Sequence, residues 1–125
     1  MPIMFPEWPR RGIDETQRIF DLHVSIAQRV PACVAPIGQA WDRALAQDPS
    51  LVLHEADGNH SNPAGAFLAA LVIAATMTGA RPDALPFVAT AGVDAEVQAR
   101  LRVVASETLA LNPPRQYCPA DPLPP

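Results

Sequence analysis

Asp57-Gly58-Asn59-His60-Ser61-Asn62-Pro63-Ala64-Gly65-Ala66-Phe67-Leu68-Ala69-Ala70 is a polar turn that passes directly into an uncharged helix. Asn62 followed by Pro63 marks the helix start. The Asn side chain caps free backbone N–H groups, and proline at the first helical position has no N–H to leave unpaired. The helix is predicted from Pro63 to Thr78, with Gly79 ending it. It carries no charge over that length, so it is expected to be covered on nearly every side. In the turn, Asp57 and His60 stand three apart. A carboxylate there can accept the imidazole Nδ1–H, fix the tautomer, and leave Nε2 free to take a proton from a hydroxyl. Gly58 lets the turn bend back, and the partial positive end of the following helix favours the neutral imidazole.

Upstream of the turn, Leu51-Val52-Leu53 is a short apolar lead-in. Ile37 to Gln47 reads as a helix with Trp41 and Leu45 on one side and Asp42, Arg43 and Gln47 exposed, stopped by Asp48-Pro49-Ser50. Before it, Ala32-Cys33-Val34-Ala35 is a brief apolar run closed by Pro36. It follows a helix that begins near Asp14 and stops at Pro31, with Ile19, Leu22, Ile26 and Val30 predicted as the core face and Glu15, Arg18 and Asp21 facing out. Ile3 to Trp8, broken by Pro6, reads as the end of a strand and its exit loop. Strand, helix, strand predicts a parallel pair. Downstream, a connection bearing Pro82 and Pro86 leads to an amphipathic helix over Val93 to Leu111, with Val97, Leu101, Val104 and Leu109 on one face. Residues 1–112 form one domain, and residues 113–125 a proline-rich irregular tail holding six of the fifteen prolines. The class is α/β, with two or three short strands and four helices. So small a sheet cannot cover the helix of residues 63–78, so another segment or another copy of the chain is expected to supply the missing layer.

A length of 125 residues with a net charge of −4 suits a single acidic domain. All nine basic residues are arginine, and none forms a run longer than Arg10-Arg11, which argues against nucleic acid or a polybasic membrane contact as partner. The longest apolar run, Ala64 to Met77, falls short of the roughly 18 residues of a membrane span. The residues before Arg10 lack the apolar run of a secretory signal, so the expectation is cytoplasmic by default, or secreted if a missing upstream segment carries the signal. Cys33 and Cys118 form no C-x-x-C pair. Cys33 reads as a small core residue, and a Cys33–Cys118 disulfide requires an oxidising compartment.

His54, Asp57 and His60 recur every three residues, which admits a metal-binding loop as an alternative, but His54 reads more simply as a solvated strand-end residue and no metal is assigned. No cofactor is implied. His23 is expected to be a partly buried structural residue, and Trp8 and Trp41 to be core anchors. The serines are Ser25, Ser50, Ser61 and Ser106, and none sits at a strand-to-helix elbow. Ser61 is expected to belong to the helix cap, and no nucleophile is assigned.

The string from Asp57 to Ala70 resembles the last block of the SGNH (GDSL-like) hydrolases, which supplies the triad Asp and His and then a small-Pro-x-Gly helix start. Val34-Ala35-Pro36-Ile37-Gly38-Gln39-Ala40-Trp41 resembles the family segment in which a strand ends at a Pro, a Gly turns, and Ala-Trp opens the next helix. The resemblance covers Ile3 to Pro82. It implies a three-layer α/β/α, flavodoxin-like fold with a short parallel sheet, of which the chain represents the C-terminal part with the N-terminal half missing. It also implies a serine esterase or lipase-like activity on an ester substrate, with Asp57 as orienter and His60 as general base of a catalytic triad. The family's Gly-Asp-Ser nucleophile block and the two blocks giving the oxyanion Gly and Asn have no counterpart here. The expectation is therefore a truncated hydrolase, inactive alone. The alternative is a non-catalytic half-domain that self-associates or binds a partner through exposed apolar surface.

Overall fold

The structure, a computed structural model, describes residues 1–120. Strand β1 (Ile3–Met4) and strand β2 (Cys33–Val34) pair in parallel, Ile3 against Cys33 and Met4 against Val34, with helix α1 (Thr16–Ala27) as the crossover. The Cys33 N–H donates to the Pro2 carbonyl at 2.9 Å and the Ala35 N–H to that of Met4 at 3.3 Å. Helices α2 (Ile37–Gln47), α3 (Pro63–Thr78) and α4 (Ala95–Leu111) follow, with two short 3₁₀ turns, Pro82–Ala84 and Ala89–Ala91, between the last two. The chain is thus mixed α/β, mostly helical, with a two-stranded parallel sheet. Leu51–Leu53 forms no third strand, and the adjoining His54 and Ser61 make only an isolated antiparallel bridge. Among the described residues, no helix is long and apolar enough to cross a membrane.

The bounds of α2 and α3 coincide with the sequence expectation because their end signals are local. Asn62 Oδ1 accepts the Gly65 N–H at 2.9 Å, Pro63 occupies the first turn, and Gly79 closes the helix at φ +73°. Helix α4 begins at Asp94, whose carboxylate accepts the Val97 N–H at 2.8 Å. The main core lies where α2, α3 and α4 meet, around Trp41, Leu53, Leu68, Val72, Leu101 and Val104. Gln98 is also fully buried there. Its amide accepts the Val88 N–H at 3.0 Å and donates to the Val88 and Val93 carbonyls at 2.9 Å each, pinning the connection before α4. A polar side chain tolerates such burial only when its hydrogen bonds are met, and here they are.

Three expectations are corrected. Helix α1 ends at Ala27 rather than at Pro31, and its buried side is Phe20, Val24 and Ala27, packed against Ala32 and Val34, while Leu22 and Ile26 on the helix and Val30 in the turn beyond it are 61%, 42% and 68% exposed. Apolar residues lie on two sides of this helix, and a two-residue strand gives only one of them a surface to bury against. Helix α3 is likewise not covered all round, since Ala66, Ala70 and Met77 remain exposed. Cys33 is no free thiol; it is disulfide-bonded to Cys118.

That bond changes the meaning of the tail. Residues 113–120 form neither helix nor strand, yet they are fixed. Pro114 accepts the Val34 N–H at 3.3 Å, the Arg115 guanidinium donates to the Thr76 carbonyl at 2.8 Å, and Tyr117 packs on the Ala27–Ala32–Val34 cluster. The outer edge of β2 is therefore closed by the tail, while among the described residues β1 pairs on one edge only. Residues 121–125 of the tail lie outside the described residues.

Candidate active site

The segment from Leu53 to Asn62 doubles back on itself. The Asn62 N–H donates to the Leu53 carbonyl at 2.9 Å and the Glu55 N–H to that of His60 at 2.7 Å. At the tip the Gly58 N–H donates to the Glu55 carbonyl at 2.9 Å, and Gly58 itself sits at φ +68°, a conformation that glycine adopts without penalty. This fold-back brings Asp57 and His60 into contact. His60 Nδ1 lies 2.5 Å from Asp57 Oδ2, while Asp57 Oδ1 accepts the Asn59 and His60 N–H groups at 2.9 and 3.0 Å.

Four bonds tie the turn to the segment leaving β1. The Arg11 N–H donates to the Gly58 carbonyl and the Arg11 guanidinium to that of Glu55, both at 2.8 Å. Trp8 Nε1 donates to the Asn59 carbonyl at 2.8 Å, and His54 Nε2 to the Pro9 carbonyl at 2.9 Å. Below them the Trp8 and Trp41 rings stack with centroids 4.5 Å apart, and His54 meets Trp41 edge-on at 4.9 Å. Trp41 is fully buried and Trp8 partly so, as core anchors should be. Trp41 also lies so close to Gly65 that no side chain fits between them. The two sequence blocks, residues 34–41 and 57–70, are thus packed against each other at the foot of the Asp57–His60 turn.

The electrostatics follow from this geometry. The hydrogen bond from His60 is the main influence on Asp57, followed by the two backbone N–H groups, and together they lower its pKa from 3.8 to about 2. An ionised carboxylate only accepts, so Nδ1 carries the shared proton, and in the neutral form of the ring the lone pair is then on Nε2. The His60 side chain is 76% exposed and that of Asp57 49%, and among the described residues Nε2 has no hydrogen-bond partner. Nε2 is therefore available to take a proton from an outside group.

A carboxyl pKa lowered in the folded state contributes stability above the unfolded value and loses it as pH falls through the folded value. Asp57 is accordingly expected to titrate with a midpoint of about 2, with its contribution complete by about pH 5 and fading below. Carboxyl carbon NMR of the folded protein reads this directly, and a midpoint near 3.8, the ordinary value, would contradict the contact.

The remaining candidates are placed elsewhere. His54 is buried rather than solvated, and its bond to Pro9 turns it to other work than His60, so the His54–Asp57–His60 metal alternative loses its third ligand. Among the described residues, no group of three histidine, cysteine, aspartate or glutamate side chains is gathered to hold a metal ion. His23 is partly buried and donates from Nδ1 to the Ile19 carbonyl at 2.7 Å, as a structural histidine does. Ser25 and Ser50 donate to the Leu22 carbonyl and the Asp48 carboxylate, and Ser106 accepts the Asp83 N–H. Ser61 takes part in the bridge to His54, and Asn62 rather than Ser61 caps α3. Among the described residues, no serine hydroxyl hydrogen-bonds to His60. The supports that sequence reasoning missed are Pro9, Arg11 and His54. All three of the bonds they make end on backbone carbonyls, which leave no mark in residue identity. No protein-family model matches the chain, and neither does any curated protein or solved structure.

Proposed function

We propose that Asp57 and His60 are the orienter and general base of a serine ester hydrolase of SGNH type, within a partial three-layer α/β/α fold whose nucleophile and oxyanion donors come from polypeptide outside these 125 residues. The observation that carries the reading is the 2.5 Å contact between His60 Nδ1 and Asp57 Oδ2, with Nε2 unpartnered among the described residues and the His60 side chain largely exposed. In such a site Nε2 takes the proton of the serine hydroxyl as its oxygen bonds to the ester carbonyl carbon. The imidazolium, held by Asp57, returns that proton to the departing alcohol as the acyl C–O bond breaks. Water then releases the acyl group as a carboxylic acid by the same base. A base and its orienter do not replace a nucleophile and an oxyanion hole, so the chain alone is inactive. The disulfide favours an oxidising compartment.

The test is complementation. The chain is co-expressed with the polypeptide encoded immediately upstream of the Met1 codon, and hydrolysis of a short-chain aryl ester is measured. Activity is expected only from the pair, falling at least about 1,000-fold with His60→Ala, while the isolated chain matches its own His60→Ala variant. A large His60-dependent rate in the isolated chain would overturn the reading, as would an upstream region without a Gly-Asp-Ser block.

A second reading, a non-catalytic half-domain that associates with itself or a partner, is favoured by exposed Leu22 and Ile26 on α1 and Val30 in the turn after it. It expects a discrete oligomer by light scattering, dispersed by Leu22→Ser with Ile26→Ser, and no ester hydrolysis under complementation.

A further inference from the structure

The Asp57–His60 contact is made by two exposed side chains. Exposed pairs hold themselves together only weakly, because water screens the attraction and each side chain gives up rotamer freedom to make it. A turn of this kind closes on local bonds, here the Gly58 N–H onto the Glu55 carbonyl at 2.9 Å, but local bonds alone do not confine it to one arrangement. The firmness of the pair is therefore set by whatever grips the backbone that carries it.

One residue grips both ends of the closure. The Arg11 N–H donates to the Gly58 carbonyl and the Arg11 guanidinium to the Glu55 carbonyl, each at 2.8 Å. Glu55 thereby uses both carbonyl lone pairs, and Arg11 spans the turn from its first residue to its fourth, with one charge-assisted bond. The side chain lies alongside Gly58, where a Cβ would stand 3.5 Å from Arg11 Cβ and 3.9 Å from its Cζ. Arg11 is itself placed by a tight turn, in which the Ile13 N–H donates to the Arg10 carbonyl at 3.0 Å and Gly12 takes φ +76°. The bond from Trp8 Nε1 to the Asn59 carbonyl also reaches the turn, but it comes from a ring stacked on Trp41 and belongs to the core. Asp57 owes its acidity first to His60 and then to the N–H groups of Asn59 and His60, and the Arg11 charge is not among the influences on it. Any effect of Arg11 on the pair runs through geometry.

We propose that Arg11 is the positioning residue of the Asp57–His60 pair, confining the turn so that the carboxylate stays on Nδ1 and the neutral imidazole keeps Nε2 open. The proposal rests on the hydrolase reading for its catalytic meaning, but the alignment is measured without turnover.

Three variants of the isolated chain test it. Arg11→Met keeps an aliphatic stem beside Gly58 and loses the donors, Arg11→Lys keeps one long donor, and Arg10→Met removes the neighbouring charge, which makes no bond to the turn among the described residues. Ring nitrogen NMR of neutral His60 reads the tautomer, and carboxyl carbon NMR reads Asp57. In Arg11→Met the neutral ring is expected to become a mixture of tautomers, and the Asp57 midpoint to rise by at least about one unit, from about 2 toward 3.8. The urea midpoint stays near the wild type, since Arg11 is exposed. Arg11→Lys is expected to lie closer to the wild type on both readings, and Arg10→Met to match the wild type. Unchanged tautomer and Asp57 midpoint in Arg11→Met overturn the proposal, as does an equal change in Arg10→Met or in Arg11→Lys. Loss of the fold in Arg11→Met overturns it too, because the role is then structural. In the complemented hydrolase, Arg11→Met is expected to lower kcat at least about tenfold with KM nearly unchanged. If complementation gives His60-dependent turnover that Arg11→Met leaves intact, the positioning role fails and the hydrolase reading stands. If the tautomer and Asp57 shift as expected but complementation yields no activity, the hydrolase reading fails and Arg11 stands as the residue that aligns the pair.

Discussion

Gly65→Ala is expected to destabilise the protein by about 3 kcal/mol, a loss at the upper end for a single added methyl group. A Cβ at position 65 would stand 2.3 Å from the Leu53 carbonyl oxygen and 2.6 Å from the Trp41 ring. Neither neighbour yields readily. The Leu53 carbonyl is the acceptor for the Asn62 N–H that closes the turn, and Trp41 is held between its stack on Trp8 and its edge contact with His54. Relief therefore requires α3 to move away from α2, which also disturbs the base of the Asp57–His60 turn. Gly38→Ala is the comparison. Its Cβ would meet only the Thr16 side chain, at 3.0 Å, and an alanine inside a helix recovers part of the loss through propensity, so an effect within about 1 kcal/mol is expected. Urea unfolding of both variants at unchanged m-value decides the matter. A Gly65→Ala loss no larger than that of Gly38→Ala would mean that the two sequence blocks are not in the contact described.

The disulfide carries the other large effect. It closes a loop of 85 residues in sequence separation, between β2 and the tail. Removing that constraint from the unfolded chain costs about 4 to 5 kcal/mol in the chain-entropy account, set against a total stability of about 5 to 15 kcal/mol for an ordinary domain. It also frees the segment that covers the β2 edge, with the Pro114, Arg115 and Tyr117 contacts. Cys118→Ala is expected to lower the urea midpoint to that of the wild-type chain in dithiothreitol, to make residues 113–120 sensitive to protease, and to abolish any response to reductant. Equal midpoints for the variant and the oxidised wild type would show that the bond does not form in solution.

What was legible in the sequence is what short-range chemistry decides. Asn62-Pro63 and Gly79 fix the ends of α3 by capping and backbone conformation, Asp48-Pro49 stops α2, and each signal acts on its immediate neighbours. The Asp57–His60 contact belongs to the same class, because a glycine turn three residues long needs nothing distant to close it. The face of α1 was not legible. Phe20, Val24 and Ala27 compete with Leu22, Ile26 and Val30 for burial, and the choice depends on which side β2 occupies.

By itself, then, the sequence determined the ends of α2 and α3 and the carboxylate–imidazole pair, which depend on residues a few positions apart, and the strand–helix–strand order from which the parallel pair follows. Tertiary structure alone decided that His54 is buried on Trp41 and bonded to Pro9, that Gln98 serves the backbone of a distant connection, and that Cys118 returns to Cys33. It also decided that one strip of α3 stays open as a groove. Those outcomes turn on which surfaces meet across long stretches of chain, and a local pattern carries no information about how much surface will be there to meet.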